Sequence, residues 1–170
     1  MPTAVVPFPR VTVPVLTAEL VEYMESGVSL LVGTRDAALR PASARAWGVE
    51  VDREACAVTV FLPLPGSEVT LANLRDNGRI ALTFSRAFDH RSVQLKGSCV
   101  SISESDARQR ALQERYFNAF SEGLRAVGHR PMLLERVRYA PSHALGFRIE
   151  SIYDQTPGPG AGRGWSSSAP

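Results

Sequence analysis

Lysine is nearly missing from this chain: Lys96 is the only one, and arginine supplies the remainder of the 19 basic side chains. Cysteine is as scarce. Cys56 and Cys99 stand too far apart for a CxxC metal knuckle, and two thiols make no secreted disulfide scaffold. Both fall in strand-like runs, ACAVTVF and GSCVSI, where a thiol acts as a small apolar filler. Excess charge is missing too. A net charge of +2, with no basic patch interleaved with aromatics, argues against a nucleic-acid partner. No apolar run approaches the length of a membrane span. The N-terminal MPTAVVPFPRVTVPVL lacks a basic n-region, and prolines interrupt its apolar stretch, so it does not read as a signal peptide. The expected setting is the cytoplasm, with no membrane contact.

The familiar catalytic signatures are absent as well. There is no GxxxxGK[ST], GxSxG or HExxH, and no GxGxxG after a strand. The PGPGAG stretch near the C-terminus is glycine-rich, but no helix follows it to cradle a phosphate. His90, His129 and His143 have no metal-ligand spacing, so no metal site is expected. His90 alone borders a polar strand face. No pair of residues reads as a nucleophile with its base, and no catalytic residue is assigned.

What remains is an ordinary globular composition, 44% hydrophobic and 21% charged, in a chain long enough to bury one full core. Residues 1–16 read as an extended arm punctuated by proline, residues 17–154 as the folded domain, and residues 155–170 as a Pro/Gly/Ser-rich tail. Thr17 caps a short helix ending at Gly27. Val28–Thr34 is an apolar strand, and the Arg35–Ala38 stretch turns the chain. A strand from Pro41 to Asp52 then alternates small and larger residues, and Ala55–Leu62 forms another. Ser67 opens a helix that Asn77-Gly78 stops. Next come two strands whose faces alternate cleanly: Ile80, Leu82 and Phe84 inward against Ala81, Thr83 and Ser85 outward, then Val93 and Leu95 inward against Ser92, Gln94 and Lys96 outward. The longest helix spans about Asp106 to Val127, with Leu112, Tyr116, Phe120 and Leu124 as its apolar stripe. A short helix from Pro131 to Val137 and a strand from Ala144 to Tyr153 follow. Six strands with helices grouped between and after them exclude regular βαβ alternation. They fit a mainly β (β+α) fold, a six-stranded antiparallel barrel with flanking helices.

The order of parts, with RPASARAW (Arg40 to Trp47), LANLRDNGRIALTF and RSVQLKG (Arg91 to Gly97), resembles the pyridoxamine 5'-phosphate oxidase-like family of FMN-binding split β-barrels. That resemblance implies a homodimer with an FMN site in each cleft between subunits, and an oxidoreductase acting on a small-molecule redox substrate. It implies that Arg45, Ala46 and Trp47 line the flavin, that Ser67 and Thr70 hold its phosphate, and that Arg91, Ser92 and Gln94 lie along the ring. Gln155 and Thr156 either touch the flavin across the dimer or turn the chain into a loose tail. Two departures stand out. Glu68 and Val69 occupy the loop where relatives carry Arg-Lys, and an acid there costs phosphate affinity unless it turns outward or pairs, for instance with Arg45 or Arg75. DQTPGPGAGRGW replaces the arginine-rich C-terminal signature, which argues against true vitamin B6 oxidase activity. The alternative is a non-catalytic split barrel that binds flavin, haem or a deazaflavin.

Overall fold

The structure, a computed structural model, describes residues 14–130 and 141–165. Most of the N-terminal arm and the expected helix from Pro131 to Val137 lie outside the described residues. Seven strands form one antiparallel sheet: β1 (Ser29–Arg35), β2 (Pro41–Ala46), β3 (Val49–Asp52), β4 (Ala57–Pro63), β5 (Arg79–Ser85), β6 (Ser92–Glu104) and β7 (Ser142–Asp154). Helices α1 (Ala18–Glu25), α2 (Glu68–Asn77) and α3 (Ala107–Ala126) flank it.

The count is seven and not six because the expected strand from Pro41 to Asp52 breaks at Trp47-Gly48. The cause is local: Gly48 sits at φ +128, a conformation that L side chains rarely adopt. The spatial order β2-β1-β5-β6-β7-β4-β3 places the two halves of the broken strand at opposite ends of the sheet. Two residues join those ends, so the sheet must curl round until its edges meet at Trp47-Gly48. There Trp47 N–H donates to Phe61 O at 2.9 Å, and Phe61 N–H to Gly48 O at 3.0 Å. The result is a split barrel.

Inside it lie Leu82, Phe84, Val93 and Leu95, which the alternation assigns inward, together with Val32 and Val60, all fully buried. Thr17 caps α1 as expected, its Oγ1 accepting from Leu20 N–H at 3.2 Å. Gly78, in the left-handed region at φ 66, ends α2. α3 begins at a capping box between Asp106 and Gln109. Its buried positions are Gln113, Tyr116, Phe120 and Ser121, so the stripe is rotated from the expected one and Leu112 and Leu124 are only half-buried. This helix makes a second, smaller core with Trp47, whose ring meets Phe117 at 5.2 Å and Phe120 at 5.4 Å, edge to face.

The tail is not loose as far as Trp165. Asp154 N–H donates to Arg163 O at 3.0 Å, Gly162 N–H to Asp154 O at 2.7 Å, and Trp165 N–H to Ile152 O at 2.9 Å. Residues 155–165 thus fold back along β7, with Tyr153 bridged to Gly164 and Trp165 packed on the main core.

Candidate functional site

Four strands bring a polar row to one end of the sheet's outer face. Ser29 of β1 stands in register with Ser85 of β5, and Ser85 with Ser92 of β6. From β2, Arg45 donates through Nη1 to Ser29 Oγ at 2.9 Å. Ser85 and Ser92 share a hydrogen bond of 2.9 Å between their hydroxyls, and Ser92 Oγ also donates to His90 O at 3.0 Å. The row floors a cleft of about 660 Å³, within the usual range for a small-molecule site. Ala119, Phe120 and Leu124 of α3 make its apolar wall, Phe88 and His90 of the β5–β6 hairpin another side, and His129 and Pro157 its rim.

The electrostatics are one-sided. Among the described residues no carboxylate lines the cleft. Arg45 has no ion pair among the described residues; its guanidinium lies 5.6 Å from the Trp47 ring and 5.7 Å from that of Phe120. Burial by those neighbours lowers its pKa, because nothing nearby compensates the charge. Arg86, by contrast, is held at both ends of its fork by Asp89, at 3.0 and 2.5 Å, and stacks 4.6 Å over Phe88. That partner draws the Asp89 carboxyl down to about 2.

The other expected site residues scatter. Ser92 joins Arg45 in the cleft, whereas Ala46 points into the main core and Trp47 is covered by α3. Arg91 turns away to pair with Glu19 at 2.8 Å and lies 4.8 Å over the Tyr23 ring, tying the hairpin to α1. Gln94 donates to Thr83 Oγ1 at 3.2 Å across β5, beside the cleft but outside its lining. Gln155 reaches the site only through its backbone, N–H to Ser92 O at 2.8 Å.

The α2 loop is closed to a phosphate in this geometry. Ser67 is 1% exposed, and its hydroxyl donates to Pro63 O and, at 3.1 Å, to Leu64 O. Thr70 is buried. Glu68 pairs with neither Arg45 nor Arg75; its Oε1 accepts from Gly66 N–H at 3.3 Å. Glu68 itself is exposed, and its negative charge beside the start of α2 opposes a bound anion.

A second cleft, of about 860 Å³, opens further along the same face between Arg35, Arg79, Lys96 and Glu150. Arg79 and Glu150 pair there at 3.3 Å, and the Lys96 ammonium lies 4.8 Å from the Tyr153 ring. No group of His, Cys, Asp or Glu among the described residues can hold a metal ion, and no described helix is long and apolar enough to cross a membrane. Ser29, Ser85 and His129 are the site residues that sequence reasoning missed. Ser85 is visible in the outward alternation of its strand, but the row needs the register.

An antiparallel sheet curled through a broken second strand, with a cleft on its outer face, is the split barrel of pyridoxamine 5'-phosphate oxidase-like structures. Group A Streptococcus HupZ is similar over 86% of this chain and 99% of its own, at 18% identity and a TM-score of 0.54. A candidate pyridoxamine 5'-phosphate oxidase from Lactobacillus delbrueckii matches over 81% of this chain and 93% of its own, at 14% identity and a TM-score of 0.52. An F420 reductase matches over 77% and 93%, at 11% identity and a TM-score of 0.50. No protein-family model and no curated protein sequence matches this chain.

Proposed function

We propose that this chain is an FMN-dependent oxidoreductase of a small molecule, acting as a homodimer, with the Arg45 cleft as its cofactor site. One observation carries the reading: a guanidinium without an ion partner, a row of hydroxyls and an apolar wall meet in a cleft that no carboxylate lines among the described residues. FMN offers the matching parts, a phosphate, a hydrogen-bonding ring edge and a flat body. Arg45 binds the anion, Ser85 and Ser92 orient the polar edge, and Phe120 and Leu124 exclude water from the ring's face. The flavin, when bound, supplies the two-electron chemistry, and the chain supplies position and shielding. The F420 reductase among the similar structures supports a redox role on this fold.

The test is the visible spectrum of the purified protein after FMN addition and desalting. A retained flavin spectrum, stoichiometric with subunits, is the expected result, and reduction by NADH or NADPH is the step that separates an oxidoreductase from a binding protein. A colourless protein removes the reading. Light scattering should give twice the 18.5 kDa of one chain. The closed α2 loop favours the second reading, a non-catalytic barrel that holds flavin, haem or a deazaflavin. Retention of a ligand without reduction by any donor would select it.

A further inference from the structure

We infer that Arg45, His90 and His129 form an oxyanion clamp at this cleft, replacing the α2 loop as the place where the ligand's anionic end is held. The inference rests on the proposed site but not on FMN as its occupant.

Four observations converge. At the start of α2 the Ser67 hydroxyl is taken up by the carbonyls of Pro63 and Leu64, and the Glu68 carboxylate beside it repels an anion. Arg45 is a permanent cation with no carboxylate partner among the described residues. The chain has three histidines, and two of them, from different elements, line this one cleft. His90 also sits at φ 59, left-handed backbone that is uncommon for a residue other than glycine, and such strain gathers at ligand-holding positions. The hairpin fixes it there, His90 N–H donating to Arg86 O at 3.0 Å. His129 is fixed from the other side, its N–H donating to Leu124 O at 3.0 Å at the end of α3.

Every element around the two imidazoles bears on their charge. β2 contributes Arg45, and α3 contributes only uncharged residues to the lining. The hairpin contributes Arg86, neutralised by Asp89, while Arg91 is neutralised by Glu19 at the α1 side. Among the described residues no carboxylate lines the cleft beside either imidazole. Protonation therefore adds positive charge facing the cleft, and an anion bound there gains charge-assisted hydrogen bonds. A phosphate ester and a carboxylate share this chemistry.

Calorimetric titration of the full chain with sulfate, whose charge is constant with pH, tests the clamp; acetate serves as the carboxylate probe. Sulfate should bind about tenfold more tightly near pH 5.5 than near pH 8.5. The double variant His90→Asn/His129→Asn should lose that gain and keep a weak, pH-independent affinity, while Arg45→Gln should abolish binding. Asparagine tolerates the left-handed backbone at position 90, so the variant should keep the wild-type melting temperature. Preference for sulfate assigns a phosphate-bearing ligand, and preference for acetate assigns a carboxylate. Absence of binding by both probes overturns the clamp, and so does a pH-dependent gain that survives in the double variant. Sulfate binding with the pH signature but no flavin retention leaves the clamp and removes FMN. Flavin retention with pH-independent sulfate affinity does the reverse.

Discussion

At the scale of single residues, Arg45 and Glu68 make opposite cases. Arg45 is exposed and its one side-chain hydrogen bond goes to Ser29, with Trp47 and Phe120 at cation–π distance, so Arg45→Gln should lower stability by no more than about 1 kcal/mol in thermal unfolding. The same change should weaken FMN by tenfold or more, roughly the worth of a charged hydrogen bond to phosphate, as read by flavin fluorescence titration. Glu68→Gln is the control: if the phosphate sits at Arg45, FMN affinity should hold within about twofold. Arg45 came only with the family resemblance, whereas Ser92 was legible because alternation alone puts it on the outward face. Ser67 was not, because a serine before a helix reads the same whether its hydroxyl faces a ligand or its own chain. Here it satisfies the carbonyls of Pro63 and Leu64, at the proline-broken end of β4.

At the scale of elements, α3 decides the shape of the cleft, and it sits where it does because of Gly27. A Cβ on Gly27 would lie 2.6 Å from Ala119 Cβ and from Phe120 N, and the residue is at φ +80. Gly27→Ala should therefore cost about 2 kcal/mol or more and loosen α3, which thermal unfolding and near-ultraviolet dichroism would register. Gly123, also on α3, has open space around its Cβ position. Gly123→Ala should stabilise the helix by up to about 1 kcal/mol in the same assay. The existence and length of α3 were plain from its periodicity. Its rotation was not, because Gln113 is fully buried where an apolar rule would choose Leu112. The glycine-rich tail was misread for a related reason. Turn residues signal a change of direction, and only the backbone bonds to β7 show that the chain comes back.

At the scale of the whole molecule, the barrel was legible from strand order and alternation, and the break at Trp47-Gly48 was not, since a strand that serves both ends of a sheet looks continuous in sequence. Tyr23 links α1 to the β5–β6 hairpin, its hydroxyl donating to Arg91 O at 2.6 Å. Burial pushes its phenol up to about 12, against the opposing pull of Arg91 and Arg86. A folded pKa above the unfolded value of about 10 means stability that is complete below that pH and lost as the pH rises toward about 12. Tyr23→Phe should lower stability by about 1 kcal/mol at neutral pH and flatten that alkaline loss, as urea midpoints across the range would show. The fold-back after β7 has its own consequence. Ser92 contributes its hydroxyl to the cleft floor, while its N–H takes Thr156 Oγ1 at 3.1 Å and its carbonyl takes Gln155 N–H at 2.8 Å. A ligand held by the Ser92 hydroxyl therefore bears on the strand residue that also seats the C-terminal segment, and it should slow protease cutting between residues 155 and 165.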